Sequence, residues 1–147
     1  MRSAFIITAC LWLIACNSSA TGPEQALREW VADVELAVTE KDRRGLLDMM
    51  SENYTDARGN DRSSINDLLR FYFLRQQTVR LVTKIDEIKV SGETAADVLL
   101  TVGMAGTNDG ALGLSADAYK FHFELENDGD NWVLIGARWA ELGNDPR

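Results

Sequence analysis

His122 is the only histidine in the chain, and imidazole is the side chain whose ordinary proton affinity suits acid–base exchange near neutral pH. Its neighbours in strand phase are Lys120 and Glu124, so it belongs to a polar outer face. Without it no Ser-His-Asp arrangement can be assembled in a pocket. Asp128 and Asp130 have the spacing of the first two ligands of a calcium loop. The glutamate that closes such a loop would fall at position 139, which is Trp139. The two aspartates therefore read as a solvated turn, and neither a metal site nor a cofactor is expected.

The remaining reactive groups are the thiols of Cys10 and Cys16, and both sit in or beside a leader. Met1-Arg2 supplies a positive charge, and Ser3 to Ala15 is an almost unbroken apolar run. Thirteen residues at 1.5 Å each make about 20 Å of helix, short of the ~30 Å hydrocarbon core. That pattern is an export signal rather than a membrane span. Leu13-Ile14-Ala15-Cys16 resembles the bacterial lipobox, in which the cysteine sulfur takes a diacylglycerol and the chain is cut just before it. Acyl chains bury at ~0.8 kcal/mol per methylene, so two or three hold a small domain on a membrane. Asn17 after the cysteine resembles an outer-membrane sorting signal. The expected protein is an envelope lipoprotein, anchored at Cys16 and facing the periplasm. Cys10 leaves with the leader and Cys16 becomes a thioether, so no disulfide or thiol nucleophile is expected.

Charge narrows the partners further. Lys and Arg total 15 against 23 Asp and Glu, a net charge of −8, which is unsuited to a phosphate backbone. No nucleic acid is expected. An apolar content of 46% in 147 residues is enough to fill the core of one domain. The organisation is a leader over 1–15, a lipidated tether over 16–22, one domain over 23–143 and a tail over 144–147.

Within that domain, helical spacing comes first. Thr21-Gly22-Pro23-Glu24 fits a capping box with proline in the first turn. Leu27, Trp30, Val31, Val34 and Val38 then make one stripe. Asp42 caps a short second helix that buries Leu46, Leu47, Met49 and Met50. Ser64-Ile65-Asn66-Asp67 begins a third, with Ile65, Leu68, Leu69, Tyr72 and Phe73 on its apolar face. From Thr78 the period becomes two. Val79, Leu81 and Ile85 share a face while Ile88 and Val90 are out of phase, which predicts a bulge near Asp86-Glu87. Ala96 to Ala105 is a second strand. A glycine-containing connection over 106–116 leads to strands over 119–126 and 132–141, joined around Asn127-Asp128-Gly129-Asp130-Asn131.

If Asp128-Gly129 is a two-residue turn, Leu125 lies opposite Trp132. Tyr119, Phe121, Phe123, Leu125, Trp132, Leu134, Gly136 and Arg138 then share a face to be covered by helices. The reverse face sets Lys120, His122, Glu124 and Glu126 beside Val133, Ile135, Ala137 and Trp139. A half-apolar outer face calls for cover, and Val133, Ile135 and Trp139 are the expected contact of a homodimer.

Helix-helix-helix followed by a bulged antiparallel sheet resembles the nuclear transport factor 2-like superfamily, which includes ketosteroid isomerases and small polyketide cyclases. The residues that carry the resemblance run from Met50 to Gly59 and from Asp128 to Leu134. It implies an α+β cone, three N-terminal helices packed on a curved, bulged antiparallel sheet, with a pocket between helices and concave face. The segment holding Tyr54 and Asp56 often reaches into that pocket in the family. Asp56 is either a general base or a loop carboxylate fixing the turn before Gly59. Tyr54 is either a rim aromatic or a proton donor. Arg138, set among aromatics, needs a carboxylate from a ligand or from Asp56, or else snorkels. With Tyr72, Tyr119, Phe121 and Trp132 these residues make the expected pocket. The isomerases' tyrosine and second carboxylic acid have no full match. The leading expectation is a non-enzymatic module that binds a small apolar or amphipathic ligand or docks onto another envelope component. The alternative is an isomerase, cyclase or hydrolase using Asp56 with Tyr54 and Arg138.

Overall fold

The computed structural model describes residues 22–107 and 114–144. The leader, Cys16, most of the tether, the centre of the glycine-containing connection and the last three residues lie outside the described residues. Helix α1 (Pro23–Glu40) starts with Pro23 in its first turn on a Gly22 N-cap that has no side-chain bond. Leu27, Trp30 and Val31 of the expected stripe are buried, joined by Ala37. The helix stops where Lys41 turns left-handed at φ 57°. The Lys41 ammonium then reaches the Gln76 carbonyl at 2.6 Å, tying this end of α1 to the end of the third helix.

Helix α2 (Arg43–Asp48) is capped by Asp42, whose carboxylate accepts the Gly45 N–H at 3.0 Å. Helix α3 (Arg62–Arg75) begins two residues earlier than the Ser64 start, because Asp61 supplies the cap by accepting Ser64 N–H at 2.8 Å. None of its residues is fully buried. Among the described residues no helix is long and apolar enough to cross a membrane.

Four antiparallel strands follow in the order β1 (Thr78–Ser91), β2 (Ala95–Thr107), β3 (Leu114–Asn127) and β4 (Trp132–Glu141). The predicted bulge is present. Ile85 pairs with Leu100 and Glu87 with Leu99, so Asp86 is the extra residue and Ile88 returns to the inner side, opposite Val98. The free edge of β4 is covered by the chain after α2. Ser51, Thr55 and Ala57 donate their N–H groups to the carbonyls of Leu134, Ile135 and Ala137.

The hairpin corrects the expected register. Its loop is four residues, with Asn127 opposite Trp132 and Leu125 opposite Leu134 rather than Trp132. A shift of two residues keeps the faces of Trp132 and Leu134. A second bulge then sets Glu124 opposite Gly136, so Ile135 is extra and every later β4 side chain changes face. Ala137 and Trp139 join Phe123 and Phe121 beneath the helices. Gly136 and Arg138 turn to the outer face, opposite Glu124 and His122. Arg138 is therefore not among the aromatic residues, and Trp139 is not on the outer face with Val133. Alternation alone cannot reveal such an insertion, because an extra residue has no side-chain signature of its own.

Burial follows this layering. Leu27 from α1 meets Val98, Leu100 and Leu125 from the sheet, all at 2% exposure or less. Trp30, Tyr54, Trp132 and Leu134 complete the same core. The fold is an α+β cone with helices on the concave face.

Candidate functional site

The concave face carries a continuous aromatic wall. Trp30 of α1 meets Phe123 edge-on with ring centroids 5.9 Å apart. Phe123 abuts Phe121 at 5.3 Å, and Phe121 abuts Tyr119 at 6.3 Å. Trp139 stacks on Phe121 at 5.9 Å with planes only 22° apart. The Arg58 guanidinium lies over Trp139, 4.3 Å from the ring centroid, close enough for cation–π attraction. From the helical side, the Tyr72 hydroxyl is pushed up by burial and by the nearby Asp117 and Tyr119. Tyr72, Tyr119 and Phe121 thus lie together.

Trp132 is not part of that group. It is 6% exposed and sits at the hairpin end of the sheet, opposite Asn127. Six residues separate Asn127 from Phe121, about 20 Å along a strand. The wall also contains Phe123, which the sequence placed on this face but not in the pocket, and three residues that the sequence did not place there. Trp30 reads as an ordinary helix-stripe residue, Arg58 as a turn residue, and Trp139 was placed on the opposite face. The Trp30 indole N–H is buried with no acceptor, a donor that an apolar core leaves unmet at some cost.

Tyr54 and Asp56 are both buried, at 3% and 5% exposure. Burial raises the Tyr54 hydroxyl well above its ordinary range, and the Asp56 charge adds to the rise. Asp56 is committed to its own loop. Oδ1 accepts the N–H groups of Arg58 and Asn60, each at 2.9 Å, and Oδ2 accepts the Asn60 amide at 2.8 Å. The loop then turns through Gly59 at φ 81°. Of the two readings of Asp56, the geometry fits the loop carboxylate.

Arg138 makes its contacts on the far side of the sheet. Its Nη2 lies 2.9 Å from His122 Nδ1 and 3.2 Å from Glu124 Oε1. His122 Nε2 lies 2.7 Å from Asp97 Oδ1. An arginine can only donate, so Nδ1 accepts and Nε2 carries the proton given to Asp97. Asp97, His122 and Glu124 are the one group among the described residues with three potential metal-ligating atoms within 4.8 Å of one another. The guanidinium already supplies positive charge there, and its N–H faces the ring nitrogen that a metal on Nε2 would require to be protonated. The three side chains are a poor fit to a metal for that reason. Arg138 does not pair with Asp56.

Similar architectures occur among solved structures at low sequence identity. A candidate scytalone dehydratase from Novosphingobium aromaticivorans superposes with TM-score 0.71 at 12% identity, covering 84% of this chain and 89% of its own. A ketosteroid isomerase-like protein from Erwinia carotovora atroseptica has TM-score 0.66 at 12% identity, over 82% and 96%. A nuclear transport factor 2-like superfamily protein from Salmonella enterica has TM-score 0.65 at 13% identity, over 83% and 96%.

The chain has the nuclear transport factor 2-like fold.

No protein-family model matches the chain, and no curated protein matches it by sequence. In this nuclear transport factor 2-like domain the aromatic wall lies on the concave face, and the Asp97–His122–Arg138–Glu124 chain lies on the other. Activity does not follow from the fold alone, since one fold hosts many chemistries.

Proposed function

We propose that this protein is a lipid-anchored envelope protein whose nuclear transport factor 2-like domain binds a small apolar or amphipathic molecule against its aromatic wall without converting it. The observation that carries this reading is the state of Asp56, whose two oxygens accept three hydrogen bonds from its own loop. A general base must lie within reach of a substrate proton, and Asp56 is 5% exposed with three of its roughly four acceptor positions taken by its own loop. The Phe121 and Trp139 rings, 5.9 Å apart with planes 22° from parallel, offer an apolar surface. Apolar walls with few polar groups are what small-molecule sites commonly present.

The test is titration with N-phenyl-1-naphthylamine, read by its fluorescence. Saturable binding that weakens at least tenfold in Phe121→Ala and in Trp139→Ala, and is unchanged in Arg138→Gln, is the expected result. Binding that never saturates, or that ignores both aromatic substitutions, would overturn the reading.

A second reading is supported by the dehydratase and isomerase-like names of two similar structures. In it Tyr54 and Asp56 act on a substrate as isomerase, cyclase or hydrolase groups, and Arg138 takes no part. Its mark is loss of turnover in Asp56→Asn with unchanged stability.

A second copy covering the outer face of the sheet belongs to the leading reading as well. Val133 remains on that face, with Ile135 at the bulge beside it. Light scattering of the protein reports whether the pair forms.

A further inference from the structure

The two edges of the sheet are finished differently. The β4 edge is closed by main-chain bonds from Ser51, Thr55 and Ala57, whereas β1 is the last strand on its side among the described residues. Which β1 groups face outward follows from the ladder. Asn127 donates to the Thr94 carbonyl, so even-numbered β2 residues bond towards β3 and odd-numbered ones towards β1. Gly103 and Thr101 lie opposite Val82 and Lys84. The main-chain groups of Leu81, Thr83 and Ile85 therefore point away from the sheet.

An open cleft of about 550 Å³ runs beside those three residues, with α1 as its other wall. On the helix it extends from Arg28 to Thr39, eleven steps or about 16 Å. On the strand it extends from Arg80 to Ile85, five steps or about 17 Å. The walls match in length, and the space between them suits some five residues of extended chain. Val31 and Leu81 make a buried apolar floor, while Leu36 overhangs the cleft at 55% exposure.

One side chain already behaves as a strand would. Glu35 Oε2 accepts the Thr83 N–H at 3.1 Å and the Thr83 hydroxyl at 2.7 Å. Thr83 is the only one of the three whose outward N–H has a partner among the described residues. The charges beside it are asymmetric. Glu35 is engaged by Thr83, and Arg28 pairs with Glu24 at 2.7 Å. The Arg80 side chain lines the cleft with no hydrogen bond or ion pair among the described residues.

We propose that this cleft is a peptide site, in which an extended segment of about five residues with an acidic end adds to β1 as a further strand. Unpaired main-chain donors and acceptors call for a main-chain partner, the apolar floor takes alternate side chains, and Arg80 takes the carboxylate. Glu35 occupies the Thr83 N–H in the empty state and must leave when the peptide pairs there. The site is separate from the aromatic wall and does not depend on its ligand.

The probe is the acetylated, amidated hexapeptide Asp-Val-Thr-Val-Thr-Val, added to the isotopically labelled protein. Amide shifts confined to β1 around Leu81, Thr83 and Ile85 are expected, with affinity falling at least tenfold in Arg80→Glu. Glu35→Ala, which frees the Thr83 N–H, is expected to tighten binding several-fold. A control peptide with proline in place of the central valine lacks one donor and is expected to bind at least tenfold more weakly. Unmoved β1 amides, equal binding of the proline peptide, or a Glu35→Ala protein that self-associates through β1 while ignoring the peptide would each overturn the proposal. None of these results bears on N-phenyl-1-naphthylamine binding, so the two readings fail separately.

Discussion

The Arg138 guanidinium stands 2.9 Å from Nδ1 of His122, directly across the β3–β4 ladder. The contact exists because Ile135 is an extra residue in β4. Without that bulge Arg138 would project beneath the helices and His122 would face a hydrophobic neighbour. The result is a chain from Asp97 through His122 and Arg138 to Glu124 on the outer face, in which one guanidinium and the imidazole stand between two carboxylates.

Removing a member of that chain is expected to cost little, because its side chains are half exposed and screened by water. His122→Ala is predicted to lose about 1 kcal/mol in urea unfolding, with N-phenyl-1-naphthylamine binding unchanged. Loss of ligand binding in this variant would place His122 in the site after all.

Asp56 is expected to behave as a structural carboxylate. Asp56→Ala leaves the Arg58 and Asn60 N–H groups without their acceptor, and a loss of about 1–2 kcal/mol is predicted from hydrogen bonds lost in this half-buried loop. Asp56→Asn sets an amide donor against the Asn60 amide and is expected to lower the melting temperature too. Full stability of Asp56→Asn would favour the catalytic reading.

Tyr54 predicts the alkaline limit. Its hydroxyl is held neutral by burial and by Asp56, above an ordinary value of 10.0. A group whose folded pKa is raised stabilises the fold below the unfolded value, and that contribution is lost as pH rises towards the folded one. Tyr54→Phe, which has nothing to ionise, should unfold at higher pH than the parent in an alkaline titration followed by circular dichroism. Coincident curves would contradict the assignment.

The acid limit has the opposite sign. Asp61, Asp86 and Asp128 are all held below the ordinary carboxyl value of 3.8. The largest cause is backbone donation from Ser64 to Asp61, from Asn131 to Asp128, and side-chain donation from Lys84 to Asp86. Each contributes stability above its unfolded value, and the contribution disappears as pH falls through the folded one. Asp61→Asn should flatten the fall in melting temperature between about pH 4 and pH 2, and an unchanged slope would remove Asp61 from the set.

The anchor has a direct readout. Mass spectrometry of the protein extracted from membranes is expected to show a diacylglyceryl Cys16 as the first residue. An unmodified sulfur at a mature amino terminus would remove the membrane from the proposal.

Much of the architecture was legible in local spacing. The stripe of Leu27, Trp30 and Val31, the Asp42 cap, the β1 bulge and the full extent of β4 all follow from interactions within a few residues, or from alternation that breaks visibly. At β1 the break shows because Ile85 and Ile88 are both apolar and out of phase. At β4 Ile135 and Ala137 are both apolar, so the insertion has no counterpart in the pattern. Arg138 and Trp139 exchanged faces for that reason.

Sequence by itself determined the core and the order of the elements, because helical and strand periods are set by backbone geometry, while the cone was implied by the family resemblance. It also determined the leader-like run and the cysteine behind it. Tertiary structure alone decided which residues share a site. The placement of Arg58 over Trp139, the enclosure of Asp56 by its loop and the engagement of Glu35 with Thr83 join residues whose identities carry no mark of one another. Each depends on where strands cross and where a loop closes, and those positions are settled by packing of the whole chain.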